Sequence, residues 1–408
     1  MFDGKVLESF TALVLSKGVN LQRGQGLEIV CPVEKADVAE AFTKTAYQMG
    51  AKIVRVRWEA EKIDKLTYIH AQAEALTNVP KWLVMHRKSL IEEGFCYVAI
   101  SAEDPAAFAG VPSDKIAMAV RARSKALKKF FDCVMANGIR WCVVSVPTEA
   151  WAKQVFPNSK NPIKDLSVAI ERAMRLDTDN PVLEWENHLD SMQAHADKLN
   201  AFDFEYLVFK NGLGTNLKVG LADGHKWLSA KELAKDGLNF VANMPTEEVF
   251  TAPHRLKVEG VLRSAMPLSY NGQIIDNFTI EFKRGKIVSF SAEKGYETLK
   301  ELIETDKGTR YLGEVALIGK NSPIAKSGIL FFNTLFDENA SCHLAIGKAY
   351  PTTLNGGETL SKRELAARGA NNSVEHVDFM IGTPDLSVTG ITKSGEKIAV
   401  FVDGEWAF

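Results

Sequence analysis

The chain has 408 residues and a formal net charge of -2, with 49 lysines and arginines against 51 acidic residues. This length is sufficient for two domains, or for one large domain with a sizeable core. The charge balance argues against a dedicated nucleic-acid-binding protein, which usually carries a basic face or stripe. No apolar run reaches the ~18 residues that a membrane-spanning helix requires, so no membrane association is predicted.

The first residues predict an amphipathic helix rather than a secretory signal. Phe2, Val6 and Phe10 recur at helical spacing, and Asp3 and Glu8 interrupt the apolar run. The five cysteines are odd in number, form no CxxC pair and mostly lie in apolar runs. We expect them to be reduced core residues rather than disulfides or zinc ligands. Together these features predict a cytoplasmic protein.

The N-terminal half, residues 1–200, alternates strand-like and helical patterns. Short buried strands are predicted at four apolar runs, residues 26–33, 52–58, 95–101 and 141–146. Helices are predicted at four stretches, residues 34–49, 113–136, 162–175 and 183–200. Alternation of strands with helices predicts an α/β domain with a parallel, Rossmann-like sheet.

A nucleotide site in such a domain requires a glycine-rich loop between a strand and the following helix. The glycines of residues 23–26 precede their strand instead of following it. Residues 313–320 contain two glycines and a lysine, but their spacing differs from that of a Walker A motif, and Asn321 follows the lysine. The sequence therefore predicts a structural α/β module without a nucleotide cofactor.

After residue 200 the pattern changes to short strands and turns. Strands are predicted at residues 204–210, 216–221, 256–262, 278–282, 286–290, 315–318, 329–332, 386–392 and 397–402. A longer helix is predicted at residues 296–304, and residues 211–215 are typical of a hairpin loop. Few helices and many hairpins predict an α+β, mostly antiparallel domain over residues 201–408.

Polar side chains lie beside strongly apolar runs in residues 311–350. Glu314 stands at the start of an apolar run, where desolvation of a bare carboxylate is costly. Glu338, His343 and Tyr350 follow within the same stretch. Buried acids of this kind need a cation, and one metal ion can serve several of them at once.

Two further stretches extend this pattern. In an extended strand His376 and Asp378 point to the same face, where they could bind one ion, or two ions bridged by the carboxylate. Upstream, Glu248 offers another carboxylate, whereas the adjacent Glu247 faces the opposite way and is either a surface charge or a base beside the ligands. His188 has no ligand-like partner in the sequence and is interpreted as structural or exposed. Each residue alone is more often structural than a ligand, but together the acids and histidines suffice for two metals.

Three motifs in this half resemble a known family. They are PTEEVFTAPHR at residues 245–255, GEVAL at 313–317 followed by FDENASCHLAIGKAY at 336–350, and EHVDFMIG at 375–382. Their order and spacing are similar to those of the aminopeptidase T, aminopeptidase S and PepS group of metallopeptidases, over essentially the whole chain. The resemblance implies metal ligands at Glu248, Glu314, His343, Tyr350, His376 and Asp378. It leaves open whether Glu338 binds metal or acts beside it.

The resemblance implies a metal-dependent aminopeptidase that uses two divalent ions to activate water. Oxygen and imidazole ligands without thiolates fit zinc, cobalt or manganese. Glu247 or Glu338 would carry the proton to the leaving amine, so both are candidate catalytic residues. A homodimer and peptide substrates with a free N-terminus are also implied. The residues alone leave two alternatives, a two-metal hydrolase of the phosphoesterase type and a non-catalytic binding module with solvated acidic loops.

Overall fold

The computed structural model of the chain describes residues 2–270 and 273–408, apart from residues 103, 105, 106 and 109. The chain forms two compact units. The first consists of Met1–Glu186 and Lys231–Pro245, and the second of Asn187–Ala230 and Thr246–Phe408. Each unit therefore contains two separate stretches of chain. The division into functional domains at residues 1–200 and 201–408 stays a prediction.

Most of the helices lie in the first half of the chain, and most of the strands lie in the second half. The helices are α1 Gly4–Leu13, α2 Ala36–Gln48, α3 Glu61–His70, α4 Ala73–Thr77, α5 Lys81–Glu92, α6 Ser113–Ala126, α7 Lys128–Met135, α8 Glu149–Val155, α9 Pro162–Ala173, α10 Pro181–Phe202, α11 Tyr296–Glu304, α12 Pro323–Ser327, α13 Thr334–Asp337 and α14 Lys362–Ala367. The strands are β1 Gly26–Pro32, β2 Ile53–Glu59, β3 Cys96–Ile100, β4 Trp141–Val144, β5 Phe204–Lys210, β6 Asn216–Leu221, β7 Lys231–Leu233, β8 Asn239–Val241, β9 Asn243–Met244, β10 Val249–Thr251, β11 Pro253–Arg263, β12 Leu268–Tyr270, β13 Gln273–Lys283, β14 Lys286–Lys294, β15 Leu312–Leu317, β16 His343–Gly347, β17 His376–Met380, β18 Ser387–Thr392, β19 Lys397–Val402 and β20 Glu405–Trp406. Among the described residues, none of these helices is long and apolar enough to cross a membrane.

The first unit contains a parallel sheet with the strand order β2-β1-β3-β4-β9. The inner strand β1 is almost entirely buried, because its apolar sequence GLEIVCP can pack on both faces of the sheet. Helix α2 packs against β1 and β2. The predicted α/β class with a parallel sheet is thus confirmed. The last strand, β9, was absent from the prediction, because two residues are too few to show a periodic pattern.

A buried ion pair links β1 to α5 within the first unit. Oε1 of Glu28 accepts a hydrogen bond from the Arg87 guanidinium at 2.8 Å, and Oε2 lies 2.5 Å from Nε2 of His86. The guanidinium carbon of Arg87 also lies 5.2 Å from the ring centre of Tyr97 and 4.7 Å from that of Phe130. The buried carboxylate therefore has its cation within the same unit.

The second unit contains two main antiparallel sheets. The larger has the strand order β12-β13-β11-β6-β5-β18-β19-β20, with β14 beside β13, and the smaller has the order β10-β15-β16-β17. The predicted loop at residues 211–215 joins β5 to β6, and the backbone N–H of Asn211 donates to the carbonyl of Thr215 at 3.2 Å. The predicted α+β, mostly antiparallel fold is confirmed. We call β10-β15-β16-β17 the small sheet.

The apolar run at residues 329–332 is not a strand, contrary to the prediction. The backbone N–H groups of Phe331 and Asn333 donate to the two carboxylate oxygens of Asp337, at 2.7 and 3.0 Å. Phe332 has a φ of 54°, which an extended strand does not allow. The side chain of Phe331 is buried, so the apolar pattern reflects burial, while a carboxylate takes the place of a strand partner.

Candidate metal centre

The small sheet carries four of the predicted ligands on one face. Glu314 in β15 pairs with Ala345 in β16, which pairs in turn with Asp378 in β17, so these residues form one row across three strands. His343 and His376 lie two positions before Ala345 and Asp378 in their strands. Because alternate residues of a strand face the same side, all four polar side chains point to one face of the sheet.

Glu248 reaches the same face from the chain just before β10. Phe250 of β10 pairs with Ala316 of β15, and these residues lie two positions after Glu248 and Glu314, respectively. The alternation along both strands therefore directs Glu248 to the side that carries Glu314. Its Oε2 atom lies 3.1 Å from Nε2 of His343.

The side chains form two groups of potential ligands that share one residue. Glu248, Glu314 and His343 form the first group, and Glu314, His376 and Asp378 form the second, with the donor atoms of each group within 4.8 Å of one another. Oε1 of Glu314 lies 3.7 Å from Nε2 of His343, and its Oε2 lies 3.7 Å from Nε2 of His376. Glu314 thus turns one oxygen toward each histidine. We call these five residues the carboxylate cluster.

Backbone carbonyls orient both histidines of the cluster. Nδ1 of His376 lies 2.7 Å from the carbonyl oxygen of Lys348, and Nδ1 of His343 lies 3.3 Å from that of Ser341. A carbonyl can only accept, so Nδ1 is the protonated nitrogen in each of these contacts. Nε2 of each ring then faces the carboxylates and is the nitrogen available to a metal, which is the usual orientation of a metal-binding histidine.

Tyr350 and Glu338 border the carboxylate cluster. The ring centre of Tyr350 lies 4.7 Å from that of His376. Burial, together with the charges of Glu314 and Asp378, raises the pKa of the Tyr350 hydroxyl well above its usual value. Burial and the charge of Asp378 likewise raise the pKa of Glu338. All seven predicted ligands are therefore brought together in this region.

Burial and mutual charge dominate the electrostatics of the cluster. Burial raises the pKa of Glu314 to about 7, against the opposing effect of the nearby His343 and His376 imidazoles. Burial alone would lower the pKa of His376, but the charges of Asp378 and Glu314 outweigh it and raise this pKa to about 10. Burial would also raise the pKa of Asp378, but the facing His376 holds it below its usual value.

The donor atoms suit a divalent cation. The cluster and Glu338 together contain four carboxylates and two imidazoles, so acids remain in excess even when both histidines are protonated. Oδ1 of Asp378 is buried and lies 3.4 Å from Nε2 of His376, without a well-aligned hydrogen bond to any residue that the structure describes. Surplus buried negative charge is costly unless a cation offsets it. Carboxylate oxygens and imidazole nitrogens are common ligands of divalent metals.

Glu247 is buried, so its interpretation as a surface charge is wrong. Its backbone N–H donates to Oδ1 of Asn339 at 2.8 Å, and its Oε2 lies 3.6 Å from Nε2 of His188. Nε2 of His188 is also 2.8 Å from the carbonyl oxygen of Thr246. Sequence reasoning missed this role of His188, because the histidine lies in α10 and no local pattern connects it to Glu247. The role of Glu247 as a base beside the ligands stays a prediction.

Known proteins match this chain over nearly its whole length. The family described as thermophilic metalloprotease (M29) matches residues 4–406. Aminopeptidase 2 of Geobacillus stearothermophilus is 43% identical over 406 residues, which cover 99% of this chain and 98% of that protein. Aminopeptidase AmpS of Bacillus subtilis is 41% identical over 404 residues, which cover 98% of both chains. Among solved structures, wild-type AmpT from Thermus thermophilus matches with a TM-score of 0.93 and 36% identity, and covers 99% of each chain.

These matches confirm the resemblance that the three sequence motifs indicated. They do not favour a phosphoesterase or a non-catalytic binding module. A metalloprotease hydrolyses peptide bonds with the help of a divalent metal, so the chain is a metal-dependent peptide hydrolase. The chain belongs to the thermophilic metalloprotease (M29) family.

Proposed function

We propose that this peptide hydrolase is an aminopeptidase, which releases amino acids one at a time from the free N-terminus of peptides at the carboxylate cluster. The names of the relatives, Aminopeptidase 2 and Aminopeptidase AmpS, support this activity. The observation that carries the proposal is the convergence of seven side chains in one region of the second unit, Glu248, Glu314, Glu338, His343, Tyr350, His376 and Asp378.

Two divalent ions are the proposed cofactors. The two ligand groups that share Glu314 support this number, since each contains two carboxylates and one histidine. Oxygen and nitrogen ligands without a thiolate fit zinc, cobalt or manganese. Bound ions of this kind lower the pKa of a coordinated water and polarise a substrate carbonyl. Tyr350 is a proposed additional ligand at the border of the cluster, and Glu338 either binds a metal as well or acts beside it.

Glu247 or Glu338 is the proposed proton carrier. Both are next to the cluster, but neither belongs to the two central ligand groups. Asn339 binds the backbone N–H of Glu247, and His188 faces its carboxylate. A carboxylate held in this way can accept a proton from the attacking water and deliver it to the leaving amine.

A free N-terminus is the proposed substrate requirement. A free α-amine would serve as a ligand of one of the two proposed ions, which would place the first peptide bond at the other ion. Acetylation replaces the basic amine with a neutral amide and so removes this anchor. The first peptide bond is then no longer held in place, and the loss should appear in kcat as well as KM.

A homodimer in the cytoplasm is proposed as the working form. Large apolar side chains are exposed on α3 and α5 of the first unit, including Ile63 (61% exposed), Trp82 (68%) and Met85 (70%). Exposed apolar surface of this kind is typical of protein interfaces. The five cysteines are free, which fits a reducing compartment. Light scattering that gives the mass of a single chain at micromolar concentration would contradict the dimer.

Two assays test the proposed activity. In the first, hydrolysis of an amino-acid arylamide is followed before chelation, after chelation and after a divalent metal is restored. Activity that survives complete removal of metal contradicts the metal-dependent mechanism.

In the second assay, the metal-replete enzyme is incubated with a tetrapeptide and with its N-acetylated form. We expect cleavage of the free peptide alone, from its first residue. Equal cleavage of both, or internal cuts before the first residue is released, contradicts the aminopeptidase.

A further inference from the structure

Strand β17, which carries His376 and Asp378, is the outermost strand of the small sheet. On one side it pairs with β16. On its other side, no strand of the described residues is paired with it. A strand that carries two of the proposed metal ligands therefore has an open edge.

The hydrogen bonds between β16 and β17 determine which backbone groups face that edge. The N–H of Ile381 donates to the carbonyl of Cys342 at 2.9 Å, and the N–H of Lys348 donates to the carbonyl of Glu375 at 2.7 Å. Both bonds continue the register of the two strands. Residues of an antiparallel strand alternate between bonding to the partner strand and facing away from it. The odd-numbered residues of this segment therefore bond to β16, and the even-numbered residues face the open edge.

The even-numbered residues of β17 are His376, Asp378 and Met380. The carbonyl of Met380 accepts a hydrogen bond from the N–H of Ala265 at 2.8 Å, which closes the edge at that end. The backbone N–H and carbonyl groups of His376 and Asp378 make no hydrogen bond with any other described residue. Both residues are only partly buried. Unpaired groups on an accessible edge can pair with a further strand.

We propose that the peptide substrate binds in an extended conformation along this edge, as an additional strand of the small sheet. This inference rests on the proposed aminopeptidase function. The edge offers alternating N–H and carbonyl groups, which match the backbone of a peptide of almost any sequence. His376 and Asp378 direct their side chains into the carboxylate cluster and their backbone groups to the edge. A peptide on the edge therefore runs directly beside the cluster.

The length of the open edge limits how many substrate residues it can hold. Two strand residues span roughly 7 Å, so the edge pairs with about two or three residues of the substrate. These residues follow the first peptide bond, because the substrate N-terminus belongs at the cluster. The enzyme should accordingly favour peptides of three or more residues over dipeptides, with little dependence on the side chains beyond the first bond.

A set of pentapeptides tests the pairing on the unaltered, metal-replete enzyme. In each peptide, one peptide bond beyond the first is replaced by an ester. An oxygen atom then stands where the N–H group was, which removes one hydrogen-bond donor without added bulk. Only alternate residues of a strand turn their N–H to the partner. We expect one ester to lower kcat/KM by roughly threefold to tenfold, the effect of one lost hydrogen bond. The ester at the neighbouring position is the matched control and should change kcat/KM by less than about twofold.

Equal effects at neighbouring positions, or no effect at any position, contradict the pairing. Release of the first residue in the same assay reports separately on the proposed function. If the enzyme releases the first residue but kcat/KM is the same for every ester position, the strand pairing is overturned and the aminopeptidase function is not. Absence of N-terminal cleavage overturns the proposed function as well.

Hydrogen exchange provides a measurement that does not depend on turnover. A peptide whose first amide is reduced to a methylene-amine cannot be hydrolysed at that bond. Its binding to the metal-replete enzyme should slow amide exchange at His376 or Asp378. Exchange at Val377 and Phe379, whose N–H groups already face β16, should stay unchanged. Unaltered exchange at His376 and Asp378 overturns the proposal. Protection that appears without peptide and grows with protein concentration also overturns it, because the edge would then pair with a second copy of the chain.

Discussion

Both units of the molecule bury carboxylates beside histidines, but among the described residues only the group in the first unit also contains an arginine. In the first unit, the two oxygens of Glu28 face Arg87 and His86, at 2.8 and 2.5 Å. In the second unit, the carboxylate cluster with Glu338 contains four acids and two imidazoles. The carboxylate of the first group is paired within the protein, whereas the second group holds more carboxylates than imidazoles, which supports the proposed binding of divalent cations there.

This difference helps to distinguish a buried carboxylate that stabilises the fold from one that serves a functional site. Desolvation of an ion costs several kcal/mol, and a buried partner offsets this cost only when its geometry is good. Arg87 meets this condition, because the rings of Tyr97 and Phe130 hold its guanidinium beside Glu28. Glu314 is also buried, and burial raises its pKa to about 7. A carboxylate in that environment is more readily explained by a metal ion than by the stability of the fold.

Removal of metal by a chelator should give the largest difference between the Glu28 ion pair and the carboxylate cluster. We expect removal of divalent metal to abolish measurable peptide hydrolysis, because the acids of the second unit then lack their counter-ions. Stability should fall as well, since a ligand present at 100 times its Kd contributes about 2.7 kcal/mol. Arylamide hydrolysis and calorimetry, with and without restored metal, measure both effects. A Glu28→Gln protein should show the same metal-dependent shift in Tm as the unaltered protein. If this shift were absent, Glu28 would be linked to the metal site.

Substitution of the shared carboxylate should have the next largest effect. We expect Glu314→Gln to lower kcat/KM by more than ~100-fold, the upper range for residues that only support a metal ligand. Bound metal should fall as well, because both ligand groups lose a charged oxygen. Elemental analysis and arylamide kinetics measure these changes. Glu301→Gln, on the exposed surface of α11, is the matched control. A Glu314→Gln enzyme with full metal content and activity would contradict the proposed centre.

Loss of the acid in the first unit should act on stability alone. We expect Glu28→Gln to lower the free energy of unfolding by roughly 3 kcal/mol, because Arg87 is left buried without its counter-ion. Metal content and kcat/KM should not change. Urea unfolding and arylamide kinetics test both statements. Adding Arg87→Met to the Glu28→Gln protein should restore part of the loss. An inactive but fully stable Glu28→Gln protein would remove the contrast between the two groups.

The smallest effect is expected at Asn339, which positions the chain beside the cluster. We expect Asn339→Ala to lower kcat by about fivefold to thirtyfold, because the buried N–H of Glu247 loses its acceptor at a cost of about 1–2 kcal/mol. KM and bound metal should change little. Steady-state kinetics and elemental analysis distinguish these quantities. Loss of metal would mean that Asn339 acts through the ligands, and an unchanged kcat would leave Glu247 without a catalytic role.

Apolar runs in the sequence correctly predicted the strands of the parallel sheet but led to a wrong prediction at residues 329–332. The strands of the parallel sheet were recognisable because burial on both faces requires nearly continuous apolar runs. The same kind of run at residues 329–332 was mistaken for a strand. There, the buried side chain of Phe331 produced the apolar pattern, but its backbone N–H binds the Asp337 carboxylate. Sequence pattern reports side-chain burial and leaves the backbone partner undetermined.

The sequence by itself determined the chemistry of the site and its local geometry. The spacing of His376 and Asp378 places both on one face of a strand, because side chains alternate with a period of two. Only the tertiary structure decided that Glu314 lies in one row with Asp378 across the small sheet, and that His188 lies beside Glu247. Periodicity describes one element at a time, whereas strand register and packing depend on contacts between residues that are far apart in the chain.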